Sequence, residues 1–264
     1  MMAAAIPIFA ALLAAFAAAT PTAAARAVEP TNVAAAADLT FALTEVADLF
    51  AKETGHAVRL SFGSSGNFRR QIAQGAPFDL FLSADESYVA DLFRAGLTLD
   101  QGALYAIGRI VLFAPHGSAL RPDPELKDLV AAAADGRLRA FAIANPAHAP
   151  YGRAARQALT KAGLWNTIGD RLVLGENATQ TAQFATSGSA QGGIIPLSLA
   201  TVPAVSALGT FALLPETWHD PLRQRMVLLR GADEVARRFY AFLQGDAARS
   251  ILRRYGFALP GETS

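Results

Sequence analysis

The sequence predicts an α/β protein of two units, each a β-sheet covered by helices. Short apolar strands, small-residue loops and amphipathic helices alternate from about residue 30 onward, a pattern typical of parallel strands packed between helices. A long apolar segment at residues 104–115 and a second one near 210–216 are placed to carry the chain out of one unit and back. With 264 residues, 52% of them hydrophobic, the chain can bury two cores, and a mainly disordered state is excluded.

In the first unit, strand and helix alternate three times. Asp38 follows the first strand and is predicted to cap the first helix, which Gly55 ends. Apolar residues recur at helical spacing between these two positions. The predicted strands cover residues 33–37, 57–62 and 78–82, and the predicted helices cover residues 39–52, 68–74 and 86–95.

The second unit is predicted to be inserted in the first. On this pattern the first unit comprises residues 28–110 and 215–264, and the second comprises residues 111–214. Asn177 is predicted to cap a helix that runs to about residue 186. The other predicted elements are strands at 138–144, 171–174, 193–195, 211–215 and 226–229, a loop at 146–152, a helix at 153–163 and closing helices within 232–255.

The first 27 residues are predicted to be a signal peptide. Residues 1–25 contain no charged side chain, and the apolar stretch at residues 6–19 is shorter than the about 20 residues that span a bilayer. Pro21 and a run of small residues follow it, as expected before a cleavage site. The mature protein is therefore expected to be exported.

Composition and motifs argue against several functional classes. A net charge of +1, from 23 basic and 22 acidic residues, gives no electrostatic footprint for nucleic acid. Cysteine is absent, which excludes disulfides and thiolate metal sites. No common catalytic or phosphate-binding motif is present, so no enzyme activity is expected. One alternative stays open, a hydrolase in which Ser64 or Ser65 pairs with one of four isolated histidines, His56, His116, His148 and His219.

Four small-residue loops precede predicted helices and are candidate anion sites. The most marked has the sequence FGSSGN at residues 62–67, and the others lie at residues 36–38, 149–152 and 176–179. The start of a helix offers unpaired backbone N–H groups and the positive end of the helix dipole, which attract anions. Open α/β sheets bind ligands at the carboxyl ends of their strands, so all four loops can face one cleft.

Residues 62–85, FGSSGNFRRQIAQGAPFDLFLSAD, carry a resemblance to a known family, supported by AAADLT, NPAHAPYG and RRYGF elsewhere. The chain resembles the periplasmic molybdate-binding proteins, the type II ligand-capturing subunits of ABC importers. The resemblance implies a two-lobed α/β fold with mixed sheets flanked by helices and a ligand cleft between the lobes. It also implies a monomeric periplasmic protein that binds molybdate, with tungstate as a second ligand, delivers it to a membrane permease and needs no cofactor.

In that family the oxyanion is held by neutral hydrogen bonds from hydroxyl groups and backbone amides. Carried over by position, Ser65, with Ser64 beside it, supplies the ligand of the second loop. Tyr151 falls on the third loop and the Ala178 amide on the fourth. The predicted ligand-binding residues are therefore Asp38, Ser64, Ser65, Tyr151 and Ala178, and molybdenum enters only as the oxyanion that these residues hold.

Two positions depart from the family pattern. Pro196 stands where a tyrosine is frequent, and without an N–H it cannot replace a donor. Asp38 stands where a serine is usual, and a carboxylate about 4 Å from a dianion costs roughly 8 kcal/mol at an effective dielectric of about 20. Asp38 can cap its own helix, which we favour, be protonated in the complex, or indicate another anion, such as sulfate, a phosphonate or a carboxylate.

Overall fold

The computed structural model describes residues 30–261, in which two mixed β-sheets are flanked by helices. The predicted signal peptide, residues 1–27, lies outside the described residues. The strands are β1 (Thr31–Ala36), β2 (Val58–Gly63), β3 (Leu80–Ser83), β4 (Ala103–Gly108), β5 (Ile110–Pro115), β6 (Phe141–Ala144), β7 (Leu172–Gly175), β8 (Gly193–Pro196), β9 (Gly209–Leu213) and β10 (Leu222–Leu228). The helices are α1 (Thr40–Thr54), α2 (Ser65–Ala73), α3 (Glu86–Arg94), α4 (Lys127–Ala134), α5 (Pro150–Lys161), α6 (Ala178–Thr186), α7 (Leu197–Ala200), α8 (Pro203–Ser206), α9 (Glu234–Phe242) and α10 (Asp246–Arg254).

The first sheet has the strand order β2-β1-β3-β10-β4. β1 is parallel to β2 and β3, and β10 runs antiparallel between β3 and β4. Side chains on β1 alternate between two cores: Val33 packs with α1, α9 and α10 on one face, and Ala34 packs with α2 and α3 on the other. Helices therefore cover both faces, as apolar strands in a largely parallel arrangement require.

The second sheet has the strand order β7-β6-β8-β5-β9. β6 is parallel to β7 and β8, whereas β5 is antiparallel to β8 and β9. One large core surrounds this sheet and reaches Ala36, Ala37 and Ala84 of the first unit. The two units are thus in apolar contact where β1 and β3 end.

The first of the two crossings between the sheets occupies a single residue. The sequence predicts one strand over residues 104–115, and this is wrong: β4 ends at Gly108 and β5 begins at Ile110, in different sheets. Arg109 lies between them and pairs with Glu216 at 2.6 Å, on the segment that returns to the first sheet. A continuous strand cannot serve two separate sheets, so the break follows from the crossing itself.

Two helices, α2 and α5, begin earlier than predicted. α2 begins at Ser65 rather than at 68, because Ser64 Oγ accepts a hydrogen bond from the Asn67 amide and caps the helix. The loop predicted at 146–152 is also wrong in its last three residues. α5 begins at Pro150, and proline is favoured at the first helical position. α4 was not predicted.

The described residues include no helix that is both long and apolar enough to cross a membrane.

Candidate functional site

A small cavity lies between the two units, where β1 and β3 of the first sheet approach the starts of α2, α5 and α6. Its free volume is about 10 Å³, roughly the space that one water molecule needs. All five predicted ligand-binding residues line it. The lining residues are Ala36, Ala37, Asp38, Gly63, Ser64, Ser65, Ala84, Ala149, Pro150, Tyr151 and Ala178. The four candidate loops thus meet at one place.

Asp38 is the most unusual residue of the cavity. Its side chain is 1% exposed, and its Oδ2 accepts hydrogen bonds from the Tyr151 hydroxyl at 2.8 Å and from Gln224 Nε2 at 2.6 Å. Its Oδ1 is buried and has no hydrogen-bond partner among the described residues. Burial raises the pKa of Asp38 from 3.8 to about 6, although the hydrogen bonds from Gln224 and Tyr151 act to lower it.

The predicted capping role of Asp38 is wrong. Ala37–Leu39 forms a 3-10 turn, α1 begins at Thr40, and no side chain caps either start. The carboxyl instead turns toward donors contributed by α5 and β10. A buried carboxylate is costly without hydrogen-bond partners. Two short hydrogen bonds from neutral donors therefore stabilise the Asp38 carboxyl more than the one backbone N–H that it would cap at the start of a helix.

Tyr151 and Gln224 belong to one hydrogen-bonded chain that fixes the Asp38 carboxyl. Tyr105 donates to Gln224 Oε1 at 2.7 Å, and Gln224 Nε2 donates to the Tyr151 oxygen at 3.0 Å as well as to Asp38. Burial raises the pKa of Tyr151 well above its usual value, and the negative charge of Asp38 adds to this effect. Tyr151 is therefore a protonated donor whose hydrogen is directed at Asp38.

Ser65 is oriented to donate into the cavity. Its side chain is fully buried, and its Oγ accepts a hydrogen bond from the Ala84 amide at 3.0 Å. That bond uses an acceptor lone pair of the hydroxyl, so the proton is left for a ligand. The Ser65 amide is also in the first turn of α2, where backbone N–H groups have no intrahelical acceptor.

Ser64 has a different environment from its neighbour. Its Oγ lies 2.9 Å from His148 Nδ1, and His148 Nε2 lies 3.4 Å from Glu176 Oε2. In the tautomer whose Nε2 carries the proton toward Glu176, Ser64 donates to Nδ1, and its hydrogen is not available to a ligand. Ser64 joins the two units, whereas Ser65 faces the cavity as a free donor.

The start of α6 brings further donors from the second unit. Asn177 caps this helix as predicted, with its Oδ1 accepting from the Gln180 amide at 3.0 Å. Ala178 is the first residue of the helix, so its amide has no intrahelical acceptor. Thr179 Oγ1 donates to the Ala37 carbonyl at 3.0 Å and holds the two units together beside the cavity.

Sequence reasoning missed two residues that support the site, Gln224 and Ser198. Gln224 shares the inward face of β10 with Leu222 and Met226, so a period of two could have marked it as a buried polar residue. Ser198 donates to the Asp38 carbonyl at 2.8 Å across 160 residues of sequence, and no local signal announces that contact. Pro196 does not line the cavity.

Two charged side chains that follow lining residues of the cavity in sequence are paired with each other. Arg153 on α5 contacts Asp85 and also donates to the Tyr88 hydroxyl at 2.5 Å, which links the second unit to α3. Within the part of the chain that the structure describes, no three His, Asp or Glu side chains form a cluster that could hold a metal cation. The cavity itself offers hydroxyl and amide donors with a single carboxyl.

The chain is similar in sequence to known proteins over most of its length. Residues 31–258 match the family described as bacterial extracellular solute-binding protein. The chain is similar to the molybdate-binding protein ModA of Rhodobacter capsulatus, at 36% identity over 227 residues that cover 85% of this chain and 86% of the relative. It is also similar to the molybdate-binding protein ModA of Azotobacter vinelandii, at 34% identity over 231 residues that cover 86% and 89%.

A solved structure shares the fold. The Azotobacter vinelandii periplasmic molybdate-binding protein superposes on this chain with a TM-score of 0.78 at 33% identity, covering 87% of this chain and 99% of that one. The fold class predicted from the sequence is confirmed by this superposition.

Proposed function

Because the chain belongs to the family of bacterial extracellular solute-binding proteins, we propose that it captures a tetrahedral oxyanion, molybdate foremost and tungstate with it, for an ABC transporter. The observation that supports this most strongly is the cavity lined by the first turns of α2 and α6 together with the Ser65 hydroxyl. Hydroxyl and amide donors suit a fully ionised oxyanion, since every oxygen of such a ligand accepts and none must donate.

Capture needs no chemical step and no cofactor. The Ser65 hydroxyl and the first amides of α2 and α6 replace the water that an oxyanion loses on entering the cavity. Because these donors come from both units, an anion that contacts them all stabilises the arrangement in which the units lie together. A membrane permease can then distinguish the loaded protein by the relative position of its units. Export by the predicted signal peptide would place this step in the periplasm.

Two other functions receive less support. Another small anion, such as sulfate, a phosphonate or a carboxylate, would use the same donors, and cavity size would decide between them. One observation would favour a hydrolase, namely the contact of Ser64 with His148. Ser64 already caps α2, however, and the relatives are binding proteins, so the family does not act as a hydrolase.

The proposed function is tested by ligand-dependent melting of the chain from residue 28 onward. Molybdate and tungstate at about a hundred times the dissociation constant should add about 2.7 kcal/mol of stability, a shift of several degrees for a protein of this size. Sulfate and phosphate at the same concentration should add little. A shift with sulfate or phosphate alone would contradict the proposal and identify another anion as the ligand.

A variant at Ser65 tests whether the anion that raises the melting temperature binds in the cavity. Ser65→Ala should reduce molybdate affinity by about 1–3 kcal/mol, because the oxyanion loses a buried donor. Isothermal titration calorimetry measures the change. Ser189→Ala is the matched control, since Ser189 is exposed and bonds to Ser187 away from the cavity. Equal losses in both variants, or none at Ser65, would contradict the role assigned to Ser65.

A further inference from the structure

One carboxyl oxygen in the cavity lacks a partner. Asp38 Oδ2 accepts hydrogen bonds from Tyr151 and Gln224, whereas Asp38 Oδ1 is buried and accepts none from another described residue. Asp38 lines the same cavity as Ser65 and Ala178. A buried polar atom without a partner is costly, so Oδ1 is the atom that a bound ligand has to satisfy.

A fully ionised oxyanion cannot satisfy an ionised Asp38. Both groups offer only acceptors, and their like charges repel in a place shielded from water. The groups that bond to the carboxyl, Tyr151 and Gln224, are neutral and do not offset this repulsion. One proton on Oδ1 removes the charge of the carboxyl and turns that oxygen into a donor. Protonation therefore relieves the charge repulsion and supplies the missing hydrogen bond to the anion.

Among residues 30–261, no cationic side chain hydrogen-bonds to the Asp38 carboxyl in place of that proton. Arg153 is paired with Asp85, and neither residue lines the cavity. Arg223 and Arg225 both bind Glu86 on α3. These cations are neutralised by carboxylates outside the cavity and do not hydrogen-bond to its carboxyl.

The other titratable groups around Asp38 do not take up this proton in its place. Tyr105 on β4 and Tyr151 on α5 are already protonated, because burial raises the pKa of both well above the usual value and the charge of Asp38 raises it further. His148, in the loop before α5, contacts Ser64. The starts of α2, α6 and α7 and the inward face of β10 contribute hydroxyl, amide and apolar groups here. Burial raises the pKa of Asp38 to about 6, close enough to neutral for uptake.

We propose that Asp38 is a specificity-determining residue that makes oxyanion capture proton-coupled: one proton is taken from solvent onto Asp38 Oδ1 as the anion binds, and the resulting carboxylic acid donates to an oxygen of the anion. The inference rests on the proposed function and identifies the protonation state of the complex. The anion brings its negative charges, the solvent supplies the proton, and no bond of the anion is broken.

The test is calorimetric titration of the chain from residue 28 onward with molybdate between about pH 5 and pH 9. Affinity should be nearly constant below about pH 6 and fall roughly tenfold for each pH unit above it, since the binding-competent carboxyl is then the minor form. Binding enthalpies in buffers of different ionisation enthalpy should show uptake of about one proton near pH 8. Molybdate binding with neither effect overturns the inference and leaves the proposed function standing. Absence of molybdate binding across the whole range overturns the proposed function itself.

Three variants assign the proton. Asp38→Asn and Asp38→Ser both place a neutral donor in the cavity, so molybdate affinity should become almost independent of pH and exceed that of the unchanged chain at about pH 8. His148→Gln should keep the pH dependence. Persistence of the dependence in both Asp38 variants, or its loss in His148→Gln alone, overturns the assignment to Asp38. Because the proton count is measured on the unchanged chain, the inference can fail even if a variant does not fold.

Discussion

At the scale of single residues, Asp38 is held by groups from three separate parts of the chain. Tyr151 and Gln224 bond to its carboxyl, and Ser198 bonds to its carbonyl. These contacts orient the side chain, but they supply no positive charge. The ionised form therefore carries a cost that folding imposes, which appears as the raised pKa.

This cost predicts a pH-dependent effect of Asp38→Asn on stability without any ligand. The pKa of Asp38 rises from 3.8 to about 6 on folding, so the folded state binds more protons and stability falls as the pH rises through this window. Two pKa units correspond to about 3 kcal/mol. Asparagine keeps an oxygen for Tyr151 and Gln224 and carries no charge. Asp38→Asn should thus be more stable by up to about 3 kcal/mol at about pH 8.

Chemical denaturation of both chains at several pH values measures this difference. The gain should shrink toward zero below about pH 3, where the unchanged carboxyl is mostly protonated in both the folded and the unfolded state. Asp79→Asn offers a comparison outside the cavity, since Asp79 bonds to the Asn32 amide and its pKa is also raised by burial. A constant difference at all pH values would show that the effect is packing rather than charge.

At the scale of elements, the start of α2 is pressed against the second unit. The Gly66 amide donates to the His148 carbonyl at 3.0 Å, and a Cβ at Gly66 would lie 2.5 Å from that same oxygen. Gly66 is in a helix, where alanine is normally favoured by about 1 kcal/mol. The close approach of the second unit leaves no room for a Cβ at this position. Alanine would therefore favour the helix but disturb the contact, and this opposition makes the contact testable.

Gly66→Ala should separate folding from ligand binding. Alanine favours α2 whenever the units lie apart but clashes with backbone when they meet, so the ligand-free melting temperature should be unchanged or higher. The increase caused by molybdate should be largely lost. Gly231→Ala is the matched control, because Gly231 has no atom within 4 Å of its would-be Cβ. A normal molybdate shift in Gly66→Ala would show that binding does not require this contact.

At the scale of the whole molecule, the polar contacts between the two units differ in their exposure to solvent. The pair of Arg153 and Asp85 is partly exposed, with 36% and 27% of the two side chains accessible. Exposed ion pairs contribute about 0–1 kcal/mol. The contacts of Asp38 with Tyr151 and Ser198 are buried, so they should contribute more to the energy of bringing the units together.

Arg153→Ala should accordingly have a small effect. Molybdate affinity measured by calorimetry should fall by no more than about fivefold, the equivalent of about 1 kcal/mol. Arg139→Ala, before β6 at the opposite end of the second sheet, serves as the control and should leave affinity unchanged. A loss of a hundredfold or more in Arg153→Ala would mean that Arg153 contacts the ligand.

Local signals account for what the sequence could predict. Gly55 ends α1 in the left-handed conformation, and Asn177 caps α6, because each effect involves neighbours along the chain. The break at Arg109 and the orientation of Asp38 depend on distant residues: Gln224 is 186 positions from Asp38. The loops that the resemblance indicated line one cavity, but the direction of the Asp38 carboxyl depends on contacts that only the folded structure shows.

The position of β10 also has a consequence for how the protein folds. β10 comprises Leu222–Leu228 and lies between β3 and β4, so the first sheet is not complete until most of the chain is available. The second sheet uses only strands within residues 110–213 and can form earlier. Non-local pairing is slow because a long loop must close first. The unit that contains the N-terminal strand is therefore the last to be finished, and a growing chain shorter than about 220 residues leaves β3 and β4 without the strand that joins them.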